Sequence, residues 1–374
     1  MSAAIRASIA VVSTVHVTHD TRIFYKQIGS LREHFTVTYY SPMEPGITEE
    51  GVVPLYKGRS KLGRLRTHLS LWRQLSARRA DLFLFHDPEL LPLAILLALF
   101  GKKVVWDMHE DTYSDIKTKT YLPGPLRGLI AGAFRAIQAL AYRTLAGFVL
   151  AEDDYGRYFP GAKKTCVVHN YPMLERLADV KVVTKRPQSL VYIGSISENR
   201  GVFQLLALVA RLKSTLPDVH LTLIGPFVSE ELERRVRARV IELALDSSID
   251  IMGPIRNVES YPVVARAQVG LALLLPERNF VTSLPTKMFE YMALGLPAVV
   301  SNFPLWSEIV EKHDAGGAVD PHDIEATANK ISALLTDPPR YARLSDNARA
   351  AANNYSWELE ATRLRAFLSR LLAA

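Results

Sequence analysis

SLPTKMFEYMALGLPAVVS, residues 283–301, reads as a loop, a short helix and a strand in direct succession. Pro285 suits a first helical turn, where its missing N–H is an orphan in any case. Thr286 to Leu294 then form one amphipathic helix with Met288, Met292 and Ala293 on its inner face. Gly295 ends the helix and Pro297 blocks its continuation. AVVS follows as a buried parallel strand. Such a helix start directs unpaired N–H groups and a partial positive charge at whatever lies above the sheet. A phosphate or diphosphate fits there. Lys287 adds a full charge, and Glu290, one turn on, is an acceptor-only carboxylate suited to a pair of sugar hydroxyls. A core helix with two solvated charges explains the same letters equally well.

The rest of the chain alternates strands and helices around this unit. RASIAVVST is a strand feeding the loop VHVTHDTRI, a helix spans about 22–33, and FTVTYYS is the next strand. GVVPLY is a weaker strand, and a basic helix follows at about 61–79. DLFLF, KKVVWD, GFVLA and TCVVHN are further strands, with helices over PELLPLAILLALF and from near Pro125. Residues 171–187 break this rhythm, which restarts at SLVYIGS. After the opening segment the pattern reads as helices to the end. This predicts two doubly wound α/β halves joined once. Ligands in such sheets bind beyond the carboxyl ends of the strands, where the polar clusters of this chain lie.

The 374 residues suffice for two domains. With 48% hydrophobic and 22% charged residues the composition is globular. The single cysteine, Cys166, excludes a disulfide framework and a cysteine-based zinc site, and suits a reducing compartment. The apolar run 90–100 is too short to cross a bilayer. The start of the chain reads as a first buried strand rather than a signal peptide. Net charge is +7, and its excess is local: residues 55–79 hold eight basic residues and no acidic one. That asymmetry points to an anionic partner.

LPTKMFEYMALGLPAVVS closely resembles the donor-site segment of family 4 nucleotide-sugar glycosyltransferases, which have the GT-B fold of two Rossmann-like domains facing a cleft. The resemblance implies that Glu290 holds the ribose of the nucleotide, with Thr282, Ser283, Leu284, Pro285 and Lys287 lining the donor site. The family often carries a second Glu at the position of Thr282, near the donor sugar. IGSISENRG (193–201) resembles the family's second phosphate-contact segment. Its first basic slot is Ser195 here, a neutral hydrogen-bonding residue, and its second is Arg200, able to grip phosphate bidentately. With Lys287 that gives two cations for a diphosphate. LIGP and MGPI each end a strand in a Gly-Pro turn, and the resemblance sets Gly253, Pro254 and Ile255 beside the nucleobase.

WDMHED (106–111) ends a strand at His109, which by resemblance approaches the donor sugar. HDTRIFYKQ (19–27) resembles the Asp-Thr-Arg opening of a subset of bacterial polysaccharide glycosyltransferases, and HDPELLP (86–92) is similar to theirs. His19, Asp20, Arg22, His86 and Asp87 are expected on the acceptor side, with the loop at 16–22 equally able to meet the diphosphate. Asp20 serves equally as a plain helix cap. No Asp-Xaa-Asp motif occurs, and neither metal nor cofactor is expected.

The resemblance therefore implies a retaining glycosyltransferase using a nucleotide diphosphate-sugar, with His109, Arg200 and Lys287 as catalytic residues. The acceptor side implies a lipid-linked or other glycan in bacterial surface polysaccharide synthesis. Two alternatives stay open: a non-hydrolysing nucleotide-sugar epimerase, and a non-catalytic GT-B subunit. The expected divisions are 1–170 as acceptor domain, 171–187 as linker, 188–355 as donor domain, and a final helix at 356–374 crossing back to the first domain. The basic segment 55–79 is expected to meet an anionic membrane surface at the cytoplasmic face. Nothing resembles a base-reading motif, so nucleic acid is not expected.

Overall fold

The computed structural model describes residues 6–43, 49–55, 61–118, 123–161, 164–178, 180 and 186–374. Two compact units emerge: Met1–Asn170 with Leu359–Ala374, and Tyr171–Glu358. Residues 56–60 of the basic segment, and 179 and 181–185 of the expected linker, lie outside the described residues.

In the first unit the strands are β1 (Ser8–Val12), β2 (Thr36–Pro42), β3 (Val52–Leu55), β4 (Leu82–Phe85), β5 (Val104–Met108), β6 (Gly147–Leu150) and β7 (Thr165–Val167). They form one sheet in the order β3-β2-β1-β4-β5-β6-β7, parallel at every step. LFLF of β4 and VVWDM of β5 are buried throughout, because helices cover both faces of a parallel sheet. The strand order reverses between β1 and β4, which opens a crevice at their carboxyl ends.

After β1 the chain enters a wide π-type helix, Thr21–Ile28, which continues as Gly29–Arg32. The Asp20 carbonyl accepts from both Phe24 N (2.9 Å) and Tyr25 N (3.4 Å), so the first turn is loosened there. The last helix, Trp357–Ala373, is tied to this unit from Leu359 onward. Glu360 accepts a hydrogen bond from His169 N, and the Lys103 ammonium donates to the Leu371 and Leu372 carbonyls at the helix end.

The strands of the second unit are β8 (Ser189–Ile193), β9 (His220–Ile224), β10 (Ile249–Ile251), β11 (Val269–Ala272), β12 (Ala298–Ser301) and β13 (Gly316–Val319). Their order is β10-β9-β8-β11-β12-β13, again all parallel, with the reversal between β8 and β11. β8 and β11 pair only at Leu190↔Val269 and Val191↔Gly270. Beyond that point the Tyr291 hydroxyl fills the gap, accepting from Ile193 N (3.0 Å) and donating to the Leu271 carbonyl (3.2 Å). A side chain at Gly270 would strike the Tyr291 ring at 2.2 Å, so only glycine lets that ring lie on the sheet.

Two details differ from the sequence expectation. GGAV at 316–319 forms β13 where only helices were read; four residues with two glycines carry almost no strand signal. Residues 171–178 are no free linker. Tyr171 is buried against Phe289 and Tyr355 in the second unit, and Leu174–Ala178 is a helix.

Candidate functional site

Polar side chains converge at the reversal point of each sheet. In the second unit the helix Thr286–Ala293 brings Lys287, Glu290 and Tyr291 inward. Pro285 stands just before this helix with extended backbone, rather than inside its first turn. Lys287 is only 7% exposed, and its Nζ has no hydrogen-bond partner among the described residues. Nζ lies 3.7 Å from the Tyr192 ring centre. Burial, with Arg200 close by, holds the ammonium well below the usual lysine range.

Arg200 comes from the loop after β8. A Cβ on Gly194 would lie 3.1 Å from Lys287 Nζ and 3.8 Å from Arg200 Nη1, so both cations flank one backbone point. Gly201 takes φ +79 and starts the helix Val202–Leu212. A side chain there would meet the Leu273 carbonyl oxygen at 1.9 Å, so this loop presses against the end of β11. Arg200 also packs over the Phe280 ring at 5.5 Å. Burial pushes the Tyr192 phenol up to about 12, against the pull of Arg200.

Glu290 is 5% exposed, and the Tyr261 hydroxyl donates to its Oε1 at 3.2 Å. Burial and the neighbouring Glu290 drive the Tyr261 phenol far up, so it remains a donor. The Thr282 and Ser283 hydroxyls donate back to the Arg278 and Asn279 carbonyls, while the Ser283 carbonyl accepts from Trp306 Nε1. Leu284 and Ile255 pack on the core around Tyr291. Ser195 accepts the Tyr192 hydroxyl through its carbonyl, and the Gly253 carbonyl accepts from Gly225 N before Pro254.

In the first unit the cluster centres on Asp107, a residue the sequence reading treated as strand. Its side chain is fully buried. Oδ1 accepts from Arg22 Nη2 at 3.1 Å, and Oδ2 from Gln27 Nε2. His109 Nε2 lies 3.1 Å and His86 Nδ1 3.5 Å from the same Oδ2, with the two imidazole nitrogens 3.0 Å apart. Burial opposes the charge on Asp107, but Arg22 and the histidine contacts outweigh it and hold the carboxyl well below its usual range. Burial dominates at His109, lowering it to about 4, so its imidazole is neutral at neutral pH. Arg22 keeps Nε and Nη1 without partners among the described residues.

Asp20 caps the π-type helix, accepting from Arg22 N and Ile23 N at 2.8 and 2.9 Å. Burial raises its carboxyl, but His16 and the Ile23 amide bring it to about 2. Asp87 accepts from Ser13 Oγ and the Thr14 and Val15 amides, clamping the loop after β1. The His86 side chain is fully buried beside His109. His19 stays outside the cluster, half exposed and 2.7 Å from Glu49. His16 takes the place expected of His19: it lies 3.4 Å from Asp87, and its ring centre is 5.2 Å from that of His109. Asp107, Gln27, His16, Tyr192 and Tyr261 were not singled out from the sequence. A charged residue closing an otherwise apolar strand, as in VVWDM, is the signal that marks Asp107.

His86, Asp107 and His109 are also the one group among the described residues close enough to share a metal ion. Arg22 and Gln27 already satisfy the carboxylate, which suits a hydrogen-bonded network better than a cation.

Residues 175–351 match the family model described as glycosyl transferases group 1. The glycogen synthase of Mycobacterium tuberculosis is 26% identical over 179 residues, 47% of this chain and 41% of that protein. The chitobiosyldiphosphodolichol beta-mannosyltransferase of Debaryomyces hansenii is 22% identical over 326 residues, covering 75% of this chain and 66% of that protein. The chain thus spans about two fifths and two thirds of the length of these relatives. Among solved structures, Anabaena HepE in complex with UDP and glucose superposes with a TM-score of 0.74 over 98% of this chain and 100% of that one, at 15% identity. Two parallel doubly wound α/β units with this likeness constitute the GT-B fold.

Proposed function

We propose that the chain is a retaining glycosyltransferase that moves a sugar from a nucleoside diphosphate-sugar to a lipid-linked glycan in bacterial surface polysaccharide synthesis. The observation that carries this reading is the buried, partnerless Lys287 ammonium beside Arg200, at the point where β8 and β11 part. An unpaired buried charge is costly, and a diphosphate compensates it with two negative charges. The start of the helix Thr286–Ala293 adds its N–H groups. Glu290, steadied by Tyr261, takes the ribose hydroxyls. The group 1 match lies over this same unit, and HepE's bound UDP makes uridine diphosphate the first nucleotide to test.

In the reaction, the bond between the anomeric carbon and the diphosphate oxygen breaks. The acceptor oxygen attacks from the same face and gives its proton to the departing diphosphate. Lys287 and Arg200 stabilise the charge developing on that leaving group, a task that needs no further cofactor. His109, neutral and fixed by Asp107, is assigned to hydroxyls of the transferred sugar. The name of the Debaryomyces relative, with its diphosphodolichol acceptor, supports a lipid-linked acceptor. The basic segment 55–79 is assigned to an anionic membrane surface at the cytoplasmic face.

Donor turnover measured with and without a bacterial lipid extract, in the presence of EDTA, tests this. Sugar appearing on lipid is the expected result. Conversion of free donor without acceptor would point to an epimerase, and no donor binding to a non-catalytic subunit.

A further inference from the structure

Three helices of the first unit pack side by side, Lys61–Ala77 on Leu91–Leu99 and that in turn on Gly124–Thr144. None of the three contains an Asp or a Glu. The outer two carry Lys61, Arg64, Arg66, Arg73, Arg127, Arg135 and Arg143. Leu96, Leu99 and Phe100 repeat the i, i+3, i+4 spacing of Leu126, Leu129 and Ile130, so each of these two helices presents an apolar stripe. Both stripes face outward: Leu99 is 68%, Phe100 67% and Leu129 70% exposed. With Leu69 and Leu140, eight of the sixteen large apolar side chains exposed among the described residues lie on this one set of elements. Scattered exposed leucines are ordinary; half of the exposed set gathered on three neighbouring helices that carry basic residues and no acid of their own is not. Trp72, from the basic helix, meets the Phe100 ring edge-on at 5.4 Å, joining the basic helix to the stripe that ends at Phe100.

We infer that this face is a membrane-insertion surface, in which Leu96, Leu99, Phe100, Leu126, Leu129 and Ile130 enter the acyl boundary of an anionic bilayer. This deepens the membrane reading proposed above, which rested on the basic segment alone. Charge decides the occupant. Anionic headgroups attract the exposed Arg66, Arg73 and Arg143 of these helices, and apolar stripes beside them suit the region just beneath the headgroups. A second copy of the same basic face would repel it.

Phe100→Trp protein mixed with vesicles of phosphatidylcholine and phosphatidylglycerol, with and without brominated acyl chains, tests insertion. Wild type and Leu99→Ser/Leu129→Ser serve as comparisons, and titration with UDP checks that each is folded. Brominated chains are expected to quench the indole emission that Phe100→Trp adds over wild type. Binding should partly survive high salt, and the double variant should bind about tenfold more weakly. Vesicle binding that high salt abolishes, with no quenching, would overturn insertion while leaving electrostatic attachment. No vesicle binding at all would overturn both. Dimerisation of wild type, lost in the double variant and without vesicle binding, would assign the face to a second copy instead.

Discussion

The Lys287 ammonium lies 3.7 Å from the centre of the Tyr192 ring and makes no hydrogen bond among the described residues. A desolvated cation over an aromatic face recovers about 2 kcal/mol, less than a buried ammonium loses by leaving water. The folded protein therefore holds a stored electrostatic debt at this position. Lys287→Met, similar in length and uncharged, is expected to raise Tm while weakening uridine diphosphate binding at least roughly tenfold. Because burial holds the ammonium below its usual range and a bound diphosphate favours the charged form, binding to the wild type should take up a proton as pH rises toward the usual lysine range. Calorimetric titration in two buffers of different ionisation enthalpy reads that proton, and the signal should vanish in Lys287→Met.

Glu290→Gln separates ribose from phosphate recognition. The variant removes a charge-assisted acceptor worth ~1.5–3 kcal/mol, but leaves the Tyr261 hydroxyl an oxygen to meet. Binding of uridine monophosphate and diphosphate should weaken by the same factor. Lys287→Met should spare the monophosphate far more than the diphosphate. Equal loss in both variants would remove the assignment of Glu290 to the sugar hydroxyls.

His109 and Asp107 touch, yet their variants should behave differently. His109→Ala deletes a neutral hydrogen-bonding group at the cluster's rim and is expected to lower turnover well beyond its effect on donor affinity. Asp107→Asn leaves the buried Arg22 guanidinium without its counter-charge, costing ~3–5 kcal/mol of stability. Thermal melts should show the second variant unfolding far earlier and the first near wild type.

His169 sets a pH dependence on the docking of the last helix. Burial disfavours its charge, but Asp153 at 3.0 Å and Glu360 prevail and raise it to about 9. A folded-state value above the unfolded 6.5 gives stabilisation that is complete below about pH 6.5. It is lost as pH rises through about 9. Melting temperature should therefore fall between about pH 7 and 10 more steeply in wild type than in His169→Gln. Parallel curves would show that the contact contributes nothing.

The parallel two-unit architecture was legible because buried strands such as LFLF and AVVS stand between turn residues and longer helical patterns. Lys287, Glu290 and Arg200 were legible because each lies within a short loop-to-helix segment beside a strand. The Asp107 cluster was not: Arg22, Gln27, His86, His109 and Asp107 lie on separate segments, and only the order β1-β4-β5 brings them together. His19 and His16 sit in the same loop with equal chemical promise. Only the turn geometry sends His16 toward His109 and His19 toward Glu49. Strand β13 escaped because its stability comes from pairing with β12 rather than from its own residues.

The hydroxyl of Tyr291, wedged where β8 and β11 separate, makes the width of that opening a property of the ligand-free chain. Substitution by Phe would orphan the Ile193 amide and the Leu271 carbonyl together, so this aperture resists gradual widening or narrowing by mutation. Related chains that keep this tyrosine and the glycine beneath it can then diverge in donor choice only through the loops above the gap. The gauge of the opening would stay constant while its rim changes.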